Sequence, residues 1–218
     1  MMTTMLKKFA TVGAFALGAT VACGASATTV LVFGQNGTAQ TITATNTATT
    51  TTIAGSDIQV TLTALENGAV GTQAFFDFSA TSTSAAATCG TNLCQHFAGT
   101  FSFNSLANGT GTNYLSGTFT DSVFGNGNGL TLTASTPSNT VTFASSIITS
   151  LGLDRAISLS FTNVTPPVSL CGTTLCGFTS NVSGNFSGNL NQRAPEPISL
   201  GLVGLGLVAM GIARRRKV

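Results

Sequence analysis

The sequence predicts an all-β body, an antiparallel sandwich or jelly roll, set between two apolar terminal segments. Three observations carry this. Apolar and small polar residues alternate through most of the chain from Thr28 to Leu190, the period-2 pattern of half-buried strands. Turn chemistry interrupts the alternation at short intervals, as in Gln35-Asn36-Gly37 and Glu66-Asn67-Gly68. Helix signals are scarce, with only Ser145–Asp154 able to make a short one.

The chain opens with Lys7 and Lys8 ahead of an apolar run, Phe9–Ala22, and Ala25-Ser26-Ala27 supplies a small-x-small cleavage site. This reads as a secretory signal peptide over residues 1–27, with a mature chain starting at Thr28. Thr20-Val21-Ala22-Cys23 can be written as a lipoprotein box, but Thr fits its first position poorly.

The body, residues 28–194, has the size of one domain. It begins with the strand Thr29–Phe33, followed by a Thr-rich stretch at 39–53. Asp57–Thr63 is a strand with Ile58, Val60 and Leu62 on one face; Gln73–Ser79 is the most aromatic, with Phe76 and Phe78 together. Phe97–Phe103, Tyr114–Thr120, Leu130–Thr133, Thr140–Phe143, Ala156–Phe161 and Gly177–Leu190 complete the set, with a Gly/Asn loop at 124–129. Many short strands punctuated by turns argue for sandwich architecture.

Composition narrows the function. The chain carries eight Lys and Arg against six Asp and Glu. Within the body the acids are Asp57, Glu66, Asp77, Asp121 and Asp154, and the bases are Arg155 and Arg193 alone. With no basic patch to neutralise phosphates, a nucleic-acid partner is not expected. The surface must be built of Thr, Ser, Asn and Gly, which is hydrated but weakly charged and prone to self-association. Thirteen of the 15 Phe lie in the body, which has one Tyr and no Trp. Phe reads as core, and the lack of Trp and Tyr weakens a sugar-stacking role.

Four cysteines remain after the signal peptide, in two matching hexapeptides: Cys89-Gly90-Thr91-Asn92-Leu93-Cys94 and Cys171-Gly172-Thr173-Thr174-Leu175-Cys176, 82 residues apart. Each follows a strand ending in Phe78 or Phe161 and precedes a similar string, Gly99-Thr100-Phe101-Ser102 or Gly184-Asn185-Phe186-Ser187. The echo reads as two related hairpins from a duplication. An even count in an exported chain implies disulfides. Local pairs Cys89–Cys94 and Cys171–Cys176 are favoured; cross-pairing between the halves and a four-thiolate zinc site are the rivals. No metal or other cofactor is expected.

Catalytic chemistry is thin. His96 is the only histidine, and no G-x-S-x-G elbow accompanies it. Glycosidase chemistry needs two facing carboxylates, for which Asp77 and Asp121 are the candidates, and Asp121 with Asn126 and Asn128 lacks EF-hand spacing. A hydrolase is therefore the weakest reading. The alternation Thr41, Thr43, Thr45, Thr47 suggests an ice-binding face, but a repeated array is not visible in the sequence; a glycan- or ice-binding adhesin module is the alternative function. Five Asn-x-Ser/Thr triplets, the first at Asn36, match the glycosylation pattern at the frequency such a composition gives by chance.

The chain closes on Pro195-Glu196-Pro197, an uncharged apolar run at 198–213, and Arg214, Arg215, Arg216 and Lys217. The prolines stop any strand or helix, making the triplet a stiff extended spacer. As a helix the run would span roughly 24 Å at ~1.5 Å per residue, enough to cross a membrane with slight thinning. The basic cluster would stay in the cytoplasm. Motif, span and basic end together resemble the PEP-CTERM sorting signal of Gram-negative bacteria. The resemblance implies transient processing near the triplet by exosortase, a membrane transpeptidase-like enzyme. It also implies an inner-membrane-anchored intermediate, release to the cell surface or extracellular matrix, and an association with exopolysaccharide and biofilm. The expectation is a non-enzymatic exported protein.

Overall fold

The computed structural model describes residues 27–125 and 129–190. They form twelve strands: β1 (Thr28–Gln35), β2 (Ile42–Asn46), β3 (Thr51–Leu65), β4 (Thr72–Ser82), β5 (Ala87–Cys89), β6 (Asn92–Leu106), β7 (Thr110–Gly125), β8 (Leu130–Ser135), β9 (Leu151–Thr165), β10 (Leu170–Cys171), β11 (Thr174–Leu175) and β12 (Phe178–Leu190). Apart from the small β10–β11 hairpin, they belong to one antiparallel sheet.

That sheet closes on itself. β1 pairs with β3, the ladder continues through β4, β6, β7, β8 and β9 to β12, and β12 pairs back to β1. β2 continues the line of β1: β12 pairs with β1 over Ser183–Gly188 and with β2 over Phe178–Ser180, while β3 does the same over Val60–Leu65 and Thr51–Ala54. The interruption at 36–41 is held by side-chain amides. Gln35 Oε1 accepts from the Val182 N–H at 3.1 Å and the Thr41 hydroxyl at 2.9 Å, and Asn181 Nδ2 donates to Ala39 O at 3.0 Å. Eight staves therefore form a closed up-and-down barrel.

The all-β, antiparallel expectation holds, but the sandwich or jelly roll is corrected. Those folds keep two sheets or send the chain across an end. Here each stave neighbours the next in sequence, and β3 and β12 are long enough to receive β1 at the seam. Closure removes the sheet edges that a weakly charged surface would otherwise expose.

The short helix at Ser145–Asp154 is also corrected. The Ser145 hydroxyl accepts from the N–H groups of Ile147 and Ile148, at 3.1 and 3.0 Å, and donates to Tyr114 O at 2.7 Å. These local bonds fold a turn and tie it to β7, and β9 starts at Leu151. The segment before it runs back along β7 through bridges Ser116–Ala144 and Phe119–Val141, widening the wall where β8 is short. The Thr-rich stretch likewise divides: Thr47 Oγ1 accepts from Thr49 and Thr50 N–H, making the turn between β2 and β3.

Phenylalanine fills the interior. Phe33, Phe76, Phe103 and Phe186 meet with centroid separations of 4.6–6.3 Å, and Phe101 joins through Phe186 at 4.6 Å. An eight-stranded barrel is just wide enough for side chains to fill it. The rings need small neighbours: a Cβ on Gly184 would lie 2.8 Å from Phe33 Cε1 and 2.6 Å from Leu159 Cδ2.

The two ends of the barrel differ. Thr28, where β1 begins, pairs with Gly188, and Leu190, the end of β12, pairs with Leu151. Both ends of the described chain thus emerge at one rim, with the β3–β4 and β6–β7 turns. The opposite rim carries the β2–β3 turn and both cysteine hairpins.

Candidate functional site

The second cysteine hairpin, β10–β11, is a lid on the barrel. Leu175 and Thr174 are fully buried. Thr51 Oγ1 accepts from the Leu175 N–H at 3.0 Å and donates to Leu175 O at 3.3 Å; Thr174 and Thr173 donate to Thr47 O and Ala48 O. The first hairpin, β5 and the start of β6, lies beside it, with the Ala86 N–H donating to Thr173 O at 2.8 Å. The structure joins Cys89 to Cys94 and Cys171 to Cys176. The four sulfurs are thus bound to one another in the two local pairs. Among the described residues no group of His, Cys, Asp and Glu could hold a metal ion.

The two turns have the same geometry. Cys89 pairs with Asn92 and Cys171 with Thr174, and the second residue of each hexapeptide, Gly90 or Gly172, has φ of 67° or 71°. A two-residue turn with glycine at the first central position is the type II′ arrangement that suits the twist of a hairpin.

The catalytic candidates do not converge. His96 is exposed on β6 and faces a groove of about 610 Å³ with Thr133, Ser135, Ser138 and Asn139; among the described residues its lining contains no carboxylate. Asp77 on β4 is spent on structure: Oδ1 accepts from the Asp57 N–H at 2.8 Å, and Oδ2 from Ser102 at 3.4 Å. Asp57 sits in a bulge with φ of 51°, and its own carboxylate accepts from the Asn108 N–H at 2.6 Å. Asp121 stands on β7, two staves from Asp77; its side chain, with Asn126 and Asn128, lies outside the described residues.

The threonine alternation gains a context that the sequence did not show. Thr43 and Thr45 are exposed on β2, Thr41 is half-buried, and Thr47 turns away. Thr43 lies in a row of small side chains running across the outer wall, Thr43–Ala54–Ser79–Thr100–Thr118. Part of this row, with Thr41, Ser56, Asp77 and Ser102, lines a shallow groove of about 670 Å³. The signal was present as alternate Ser and Thr on four separate strands, but only the register brings them into line.

From the last described residue, Leu190, the chain continues into the segment with the most distinctive pattern. Residues 193–217 match the family model for the PEP-CTERM protein-sorting motif. The tail is a PEP-CTERM sorting signal. Such a signal implies export, membrane-associated processing and a transient encounter with exosortase. No curated protein and no solved structure matches the chain. Pro195, Glu196, Pro197, the expected span at 198–213 and Arg214, Arg215, Arg216 and Lys217 lie outside the described residues, as does the signal peptide up to residue 26. Among the described residues no helix is long and apolar enough to cross a membrane.

Proposed function

We propose that this chain is a non-enzymatic cell-surface or extracellular-matrix protein. It would be exported by its signal peptide (1–27) and held in the inner membrane by the 198–213 helix. Exosortase would then hand on its barrel, residues 28–194. The PEP-CTERM match at 193–217 carries this reading. The barrel supports it in two ways. Its interior is occupied by phenylalanine rings, which leaves recognition to the outer wall. That wall is a weakly charged hydroxyl surface suited to a polysaccharide matrix, and the shallow groove along Thr43, Ser79 and Thr100 presents hydroxyls to a neutral, hydroxyl-rich chain.

Intact-mass measurement of the protein from the surface and medium of its native host tests the reading. The expected species starts at Thr28 and ends near Pro195, without the apolar run and basic end. A surface population running unbroken to Val218 would contradict processing.

A further inference from the structure

We infer that, before the tail is processed, the rim from which it leaves rests on the phospholipid surface of the membrane that the tail crosses, and that Val70, Leu106 and Leu153 enter the headgroup layer. This rests on the sorting reading of the tail given above.

The first observation is where the exposed apolar residues are. Among the described residues, the large hydrophobic side chains left in water are Val70, Leu106, Leu153 and Leu170, at 76, 58, 85 and 41% exposure. Three of the four share the rim where the chain ends emerge. Val70 is in the β3–β4 turn, whose Glu66 N–H bonds Val30 O beside the start of β1. Leu106 is at the β6–β7 turn, where it pairs with Thr110. Leu153 is on β9, two residues beyond the Leu151–Leu190 pair. Round the ring, Leu153 stands on one side of the exit of β12, and Val70 then Leu106 on the other. Single exposed apolar residues mean little. Their collection on one rim, flanking one exit, is a pattern that burial within the barrel does not explain.

The second observation is the tether. Only Asn191, Gln192, Arg193 and Ala194 separate Leu190 from Pro195. Fully extended, that distance is at most about 18 Å, since a residue adds no more than ~3.6 Å. A rim held so close to the bilayer meets its headgroup layer repeatedly, and the loss of freedom on docking is largely met by the tether.

Charge sets the mode of contact. The rim carries Glu66 and Asp154, the latter accepting from Asn189 Nδ2, and the β6–β7 turn beside Leu106 holds the carboxylate of Asp57 through the Asn108 N–H. Its one described cation, Arg155, donates to Gly152 O at 2.7 Å and lies over the Phe143 ring. Among the described residues of the rim, attraction to anionic lipid is therefore not the driving force, and Arg193 is the one further cation in the tether before Pro195. The contact is apolar, shallow and insensitive to salt.

The absence of Trp makes the test direct. The full chain is reconstituted in phosphatidylethanolamine–phosphatidylglycerol vesicles with single Val70→Trp, Leu106→Trp or Leu153→Trp substitutions, and with Thr49→Trp and Thr91→Trp at the opposite rim. The inference expects the first three to be quenched several-fold more by lipids brominated near the glycerol than the last two, with little change in high salt. Iodide in the water should show the reverse order. Equal lipid quenching at both rims, in protein that resists alkaline extraction, would overturn the docking while leaving the spanning tail intact. Protein stripped from the vesicles by alkali would remove the spanning tail and the docking together. Shielding of the three sites from iodide without lipid quenching, lost on dilution, would assign the rim to a second copy of the chain instead.

Discussion

The two cysteine hairpins have nearly the same sequence and the same turn, yet one is a lid and the other a flank. Five of their six residues agree. The local outcome agrees as well: the same pairing across the turn, the same left-handed glycine, the same local disulfide. Burial differs. Leu175 is fully buried, whereas Leu93, its counterpart, is only partly covered. The difference lies in how the chain leaves each hairpin. Cys94 runs directly into β6, so the first hairpin extends a stave outward. Cys176 is followed by Gly177 and a separate β12, so the second hairpin is free to fold over the opening and be received by Thr47, Ala48 and Thr51. Six residues specify a turn; the connection to the barrel specifies its use.

The comparison extends to the whole ring. β6 and β12, the staves after the two hairpins, are four places apart in a ring of eight, hence on opposite sides. The repeated phenylalanines meet across the axis: Phe101 and Phe186 are 4.6 Å apart between centroids, and Phe78 and Phe161 are 6.1 Å apart. This is the arrangement a duplicated four-stave unit makes when its two copies close on one core. The lid breaks the symmetry, and truncating it should have the largest effect. Leu175→Ala should cost about 3 kcal/mol and Leu93→Ala about 1 kcal/mol or less, because only the first leaves a cavity with no solvent to fill it. Chemical denaturation of both variants reads the gap. Equal losses would mean that the flank is as tightly packed as the lid.

Much of this was legible in the sequence, and the rest was hidden for definable reasons. Ile58, Val60 and Leu62, and Phe76 with Phe78, alternate in the sequence and are buried together in the barrel, since period-2 patterning marks a sheet's inner face whatever its curvature. Closure was not legible. Alternation is the same in a sandwich and a barrel, and the seam depends on β1 finding both β3 and β12, pairings far apart in the chain. The helix expected at Ser145 failed because one hydroxyl and one carbonyl on β7 outweigh weak propensity. The sorting tail was the clearest segment, because its physical parts occur in a fixed order. The row through Thr43, Ser79 and Thr100 was invisible, since lateral alignment is a property of register.

The disulfides should sharpen the comparison at the next level down. Each closes a loop of six residues, for which chain entropy predicts about 2 kcal/mol. Replacing either pair, Cys89→Ser with Cys94→Ser or Cys171→Ser with Cys176→Ser, should therefore lower stability by about the same amount. Their local effects should differ. Loss of the second pair frees the lid, so amide exchange at Leu175 should accelerate far more than exchange at Leu93 does when the first pair is lost. If Leu175 stays protected, the bonds to Thr51 hold the lid without help from sulfur.

The smallest effect should be the most equal one. A Cβ on Gly90 or Gly172 would meet nothing within 4 Å, so space does not distinguish the two positions. What alanine would meet is the left-handed backbone, with φ near 70° at both, and that cost is intrinsic, about 1–2 kcal/mol. Gly90→Ala and Gly172→Ala should thus destabilise the protein alike, despite the contrast in burial between their hairpins. Asparagine at either site should recover part of the loss, because its side chain tolerates this region. A larger penalty at Gly172 would show that the lid's docking constrains its turn and that the left-handed glycine there is imposed from the barrel. Equal penalties would place the turn in the hexapeptide itself, with the lid a later use of a structure that both copies already had.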